Sequence, residues 1–174
     1  MSVNSRMLEK FIKNTPITLS RFGKEIEEVK SKISAVEDAI REVEKAMDDI
    51  SAKELGNSGI YVAVIDVEER YYPWRVEKVK KLNVRKIDYE KDVKVPRVVK
   101  VYGKSKKAIK EIAEKYVELV NKRNSLREKE NKLHNEFYRV KTQIEAALAE
   151  GNKNKAMELT RDLFPDMFEE VENG

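Results

Sequence analysis

Residues 19–50 read LSRFGKEIEEVKSKISAVEDAIREVEKAMDDI. Within them Leu19, Phe22, Ile26, Val29, Ile33, Val36, Ile40, Val43, Met47 and Ile50 recur three and four positions apart without a miss. That spacing is a heptad seam, which holds one apolar stripe on one side of a helix and leaves the remaining faces to charge. With Leu19 at position a, Ile26, Ile33 and Ile40 also fall at a, and Val29, Val36 and Val43 at d. β-Branched residues at both positions leave the number of packed helices open. Thr15–Pro16 predicts the start of the helix, and Gly56–Asn57–Ser58–Gly59 its end. Gly23 lies inside the pattern and should cost about 1 kcal/mol relative to Ala, so the first turns are expected to fray.

A second seam begins near Ser105. It runs Ile109, Ile112, Tyr116, Leu119, Arg123, Leu126, Glu130, Leu133, Phe137, Val140, Ile144 and Ala147. Arg123 and Glu130 interrupt it. The simpler reading is that the stripe drifts there, with Val120 and charged stems covering the gap, because a straight helix does not hold a 3.5-residue repeat. The other is a polar device that sets register or partner choice. Glu150–Gly151–Asn152 closes the helix, and a short third helix from Lys155 to about Phe164 stops at Pro165.

Between the seams the period shortens. Ile60 to Val67 is apolar on both faces, as in a covered strand. Val93, Val95, Val99 and Val101 share one face of a later strand, with Lys94, Lys100 and Tyr102 on the other. Val84 to Glu90 is a weaker strand, and Arg75 to Leu82 fits either a strand or a helical turn. The predicted fold is therefore α+β: an antiparallel coiled-coil helical hairpin carrying a small antiparallel β-sheet module of three or four strands between its long helices, plus short terminal helices. Its segments are 1–15 (a short amphipathic stretch), 16–56 (the first long helix), 57–103 (the β module), 104–151 (the second long helix) and 152–174 (a short helix and tail). At 1.5 Å per residue the long helices should span about 50 Å and about 65–70 Å.

Composition fits this outline. Of the 174 residues 40% are hydrophobic and 39% charged, too periodic for a disordered chain and charged enough for long solvated helix faces. Abundant Lys, Glu and Arg also suit a thermophile protein. The absence of cysteine excludes disulfides, thiolate metal sites and cysteine nucleophiles. Apolar runs such as Tyr61 to Ile65 are far short of the roughly 20 residues of a membrane span. A soluble cytoplasmic protein without a membrane partner is the expectation.

Charge changes where architecture changes. Residues 70–110 hold fifteen Lys or Arg against four Asp or Glu, a net +11, while the flanks carry −4 and −3 of a total of +4. Arg75, Lys78, Lys80, Lys81, Arg85, Lys86, Lys91, Lys94, Arg97, Lys100, Lys104, Lys106 and Lys107 are interleaved with Tyr72, Trp74, Tyr89 and Tyr102. Cations that displace counterions, next to rings on which bases stack, make this stretch the candidate nucleic-acid-binding or other polyanion-binding surface. The plainer alternatives are solubilising lysines that guard strand edges, or neutralisation by acidic helix faces such as Glu25, Glu27, Glu28, Asp48 and Asp49.

Gly103–Lys104–Ser105 follows a strand and opens a helix, but a Walker loop needs Gly where Val98 stands, so nucleotide hydrolysis is not indicated. Ser105 reads as an N-cap, and Lys104, Lys106 and Lys107 beside a helix N-terminus could hold one backbone phosphate. His134 is the only histidine. With no Cys and no tight carboxylate cluster, no catalytic set, metal or cofactor is expected, and the protein reads as no enzyme.

Apolar clusters mark both chain ends: Met7, Leu8, Phe11 and Ile12, then Leu163, Phe164, Met167 and Phe168. They either pack together or form a docking surface for a protein partner. The order helix, β insert entered at Gly59–Ile60–Tyr61–Val62, helix resembles the plan of prefoldin chaperone subunits, although the extra termini and the basic insert depart from it. The resemblance implies a coiled-coil scaffold, holdase or assembly protein as the alternative function. The first expectation is a non-enzymatic nucleic-acid-binding protein of low sequence specificity, forming a homo-oligomer through its coiled-coil seams.

Overall fold

The computed structural model describes residues 5–67, 73–82 and 98–167, which form two compact units. One unit comprises residues 1–33 and 126–174, the other 34–125. The elements run α1 (Ser5–Asn14), a 3-10 turn (Ile17–Leu19), α2 (Gly23–Lys53), β1 (Ser58–Asp66), β2 (Trp74–Lys81), β3 (Val98–Gly103), α3 (Lys106–Ala149) and α4 (Lys153–Leu163). The expected plan of long helices enclosing a small antiparallel sheet, with short terminal helices, is therefore present.

The start of α2 corrects the sequence reading. Pro16 opens only the 3-10 turn and makes no side-chain cap. Ser20 then breaks the chain: its hydroxyl donates to the Ile17 carbonyl at 2.6 Å and accepts the Phe22 N–H at 3.2 Å. The helix proper begins at Gly23, so Leu19 lies outside the stripe and is 49% exposed. From Ile26 to Met47 every expected seam residue of α2 is buried. Each contributes about 1.5–3 kcal/mol of burial before the cost of ordering the chain.

In α3 the stripe drifts as periodicity allows. Its buried residues are Ile109, Ala113, Tyr116 and Val120 in one unit and Phe137, Val140, Ile144 and Ala147 in the other, while Ile112 and Leu119 are only half-buried. Arg123 lies between these sets, half-buried, and its Nε atom is enclosed without a hydrogen-bond partner. Glu130 and His134, one turn apart on α3, approach to 3.7 Å. At the C-terminal side Asn152 caps α4, accepting the Lys155 N–H at 3.2 Å.

The first unit closes on the chain ends. Leu8 and Ile12 of α1 pack with Phe137, Val140, Ile144 and Ala147 of α3 and with Ala156, Leu163 and Phe164 at α4. Phe164 meets Phe11 and Phe137 edge to face, with ring centroids 5.3 and 6.1 Å apart. The Arg21 N–H donates to the Leu163 carbonyl at 2.8 Å, tying the turn before α2 to the end of α4.

In the second unit β1 is the central strand, antiparallel to β2 on one side and β3 on the other. Both its faces are buried, which explains its unalternated apolar run. Ile60, Val62 and Val64 cluster with Leu82 and Tyr102 on one face, with Val79 packed against them. The other face carries Ala63, Ile65 and Val101. A Cβ on Gly103 there would lie 2.5 Å from Ile109 Cδ1 and 3.4 Å from Ile50 Cγ2, so the strand touches both long helices. Ser51 Oγ accepts the Tyr102 N–H at 3.0 Å, which covers part of the outer edge of β3 with the last turns of α2. The ambiguous stretch at Arg75–Leu82 is resolved as strand. The strands expected at Val84–Glu90 and around Val93–Val95 lie outside the described residues.

Candidate nucleic-acid interface

Because β2 and β3 both run antiparallel to β1, they finish at the same end of the sheet. That is the end where β1 begins at Ser58, after the last turn of α2, and where β3 gives way to α3. The register sets Lys78 of β2 and Gly103 of β3 on either side of Tyr61, two strand spacings or about 10 Å apart. Lys80 and Lys81 follow Lys78, while Lys104, Lys106 and Lys107 follow Gly103, and all six side chains are exposed. Two sequence-distant lysine groups thus lie at one end of the sheet. No Asp or Glu of the described residues lies within ion-pair distance of any of the six.

Strand alternation sorts the cations further. Lys78 and Lys80 share a face with Trp74 and Val76, whereas Arg75, Glu77 and Lys81 point to the other. Between Lys78 and Lys80 opens a depression of about 360 Å³, lined among the described residues by Gly59, Lys78, Val79 and Lys80. Gly59 has a φ of +71°, which L side chains rarely adopt, and a Cβ there would meet nothing within 4 Å.

At the first turn of α3, Ser105 Oγ accepts the Ala108 N–H at 3.2 Å. It is an ordinary N-cap, and the turn that follows contains no acid, leaving Lys106 and Lys107 unopposed at the positive end of the helix. Lysines there are mildly unfavourable for the helix itself, which makes sense if an anion offsets them.

Not all the expected site residues join this cluster. Arg75 pairs with Glu77 on the opposite face, and Lys100 lies in line with Arg75 across Val64. Tyr102 is a correction: it is 3% exposed in the sheet core, so its ring is not available to stack on a base. Tyr102 and Lys100 share a face of β3, but that face is covered at Tyr102 and open at Lys100. Trp74 is partly exposed. Arg85, Lys86, Lys91, Lys94, Arg97, Tyr72 and Tyr89 lie outside the described residues.

Of the two readings of the chain-end apolar clusters, the described residues show packing together. Leu8, Ile12, Leu163 and Phe164 are at most 1% exposed because they pack on one another, and Phe11 and Met167 pack against that core. Met7 is exposed, and Phe168 lies outside the described residues. Of the acidic faces that could have neutralised the patch, Glu25 engages Lys129 at 3.5 Å instead.

Among the carboxylates, Glu44 on α2 is held above its usual range, first by burial and then by Asp48 one turn away, with Arg123 and Arg41 opposing the shift. A carboxyl whose folded-state pKa is raised binds its proton more tightly when folded. Its charge therefore opposes folding at neutral pH, and the penalty fades as pH falls through the raised value. Sequence reasoning missed Gly59 and Tyr61 as parts of the site, since only strand register sets them beside Lys78 and Lys80. Among the described residues no group of three His, Cys, Asp or Glu side chains could hold a metal ion, and no helix is long and apolar enough to cross a membrane. No known protein family, curated protein or solved structure matches the chain.

Proposed function

We propose that this protein is a non-enzymatic nucleic-acid-binding protein of low sequence specificity, and that the lysine-lined end of its sheet holds the phosphate backbone. The observation that carries the reading is the placement of Lys78, Lys80 and Lys81 at the same end of the sheet as Lys104, Lys106 and Lys107, all exposed and none ion-paired within the described residues. A surface that only needed solubility would mix signs, as the long helices do with Glu25–Lys129 and Lys132–Glu128. Lysine acts as a point charge with no planar fork, so contacts of this kind position a backbone without reading bases. Leu8, Ile12, Leu163 and Phe164, four of the residues a holdase reading would use, are buried.

The test is electrophoretic or anisotropy titration with a labelled oligonucleotide, single-stranded and duplex, over a salt series. Binding should weaken steeply with salt, by a slope of about −0.7 to −0.9 per phosphate neutralised. The triple variant Lys78→Glu/Lys80→Glu/Lys104→Glu, altered only at exposed positions, should lose it. Absence of binding by the wild-type protein to either polymer at low salt would remove the proposal.

A further inference from the structure

Resting on that reading, we infer that the preferred polyanion is an unpaired strand, and that Trp74 is the ring on which one of its bases stacks. Along β2, residues 74, 76, 78 and 80 project to one face, so Trp74, Val76, Lys78 and Lys80 form a single file. The file passes from a half-buried indole and a half-buried valine to two exposed lysines. Its length, six residue steps of about 3.3 Å from Trp74 to Lys80, is about 20 Å, the reach of a few nucleotides.

The neighbours of the file show why it is open. On the same face, Ala63 and Ile65 of β1 and Val101 of β3 are fully buried, and Gly103 lies against Ile50 and Ile109. On this face Ala63, Ile65, Val101 and Gly103 are covered, Tyr61 and Val99 are half-buried, and β2 ends in the exposed Lys78 and Lys80. At the lysine end Gly59 contributes no side chain, which leaves the depression between Lys78 and Lys80 as a seat for a phosphate.

This order of chemistry selects single strands over duplex. Both polymers present phosphates to Lys78 and Lys80, but a duplex keeps the faces of its bases stacked inside, where an indole cannot reach them. An unpaired strand offers its bases, and stacking on an aromatic ring is tolerant of sequence, in keeping with low specificity. Tyr102, the other described ring assigned to the site from sequence, is buried and cannot share the role.

Trp74 is the only tryptophan of the chain, so the unmodified protein carries its own reporter. We would titrate it with an eight-nucleotide oligothymidylate, the matching oligouridylate, a short blunt duplex and inorganic polyphosphate, following indole emission and, in parallel, binding by anisotropy of labelled probes or, for polyphosphate, by displacement. The expected result is quenching of Trp74 by both unpaired oligomers, and none by polyphosphate even though it binds. The two oligomers report whether DNA or RNA is favoured. Trp74→Leu should weaken oligothymidylate binding about tenfold, within the range of one stacked base, and leave polyphosphate binding unchanged. Trp74→Phe, which keeps a ring, should restore most of the loss, separating stacking from a folding defect. Oligomers that bind without quenching, or a duplex that binds and quenches equally well, would overturn this inference while the basic surface stood. Failure of every polyanion to bind would overturn both.

Discussion

Gly23 carries opposite meanings in sequence and in space. Inside an unbroken heptad it reads as a helix-weakening residue that Ala would improve by about 1 kcal/mol. In the folded chain it is the first residue of α2, and a Cβ there would fall 2.0 Å from the Thr18 carbonyl oxygen, a backbone atom that cannot step aside. Gly23→Ala should therefore destabilise the protein by about 2 kcal/mol, in the range of overpacked sites, rather than stabilise it. A lowered urea midpoint with an unchanged slope would bear this out, and a raised midpoint would refute it. Arg123 makes a similar point. Its place in the stripe was visible from spacing alone, but not that its Nε would be enclosed without a partner.

Among the elements, α1 and α4 are too short to be stable helices alone, at 10 and 11 residues. They persist because Leu8, Ile12, Leu163 and Phe164 close over the last turns of α3. Phe164 is the keystone of that contact, fully buried and touching the rings of both Phe11 and Phe137. Phe164→Ala should cost about 3–5 kcal/mol. The loss should show in the denaturation midpoint, and residues of α1 and α4 should lose amide-exchange protection along with it. A cost below about 1 kcal/mol, the size of a surface change, would mean that the ends do not support each other. β2 shows how weak an element signal can be. Its apolar positions, Val76, Val79 and Leu82, are three apart as in a helix, yet hydrogen bonding to β1 makes it a strand. Tertiary pairing overrode local pattern there.

For the whole molecule, the seam that suggested several copies is already satisfied. Ile26, Val29, Ile33, Val36, Ile40, Val43 and Met47 of α2 are at most 8% exposed within a single chain. A second copy has little apolar surface to gain along that stripe, so the expected solution mass is that of one chain, 20.3 kDa. Light scattering at micromolar concentration checks this, and a mass of twice that value would require an interface elsewhere on the surface.

The two long helices, the central strand β1, the apolar stripe of α2, the drift of α3 past Arg123 and the basic excess between the long helices were legible in the order of amino acids. They are local properties, set by spacing and by turn residues a few positions apart. Which lysines meet was not legible, because strand register and direction are settled by contacts between residues far apart in the chain. The antiparallel pairing of both outer strands with β1 is what joins Lys78 and Lys80 to Lys104. Burial, which depends on what covers a face rather than on what occupies it, took Tyr102, Leu8, Ile12, Leu163 and Phe164 out of the candidate sites and left Trp74 within reach of solvent.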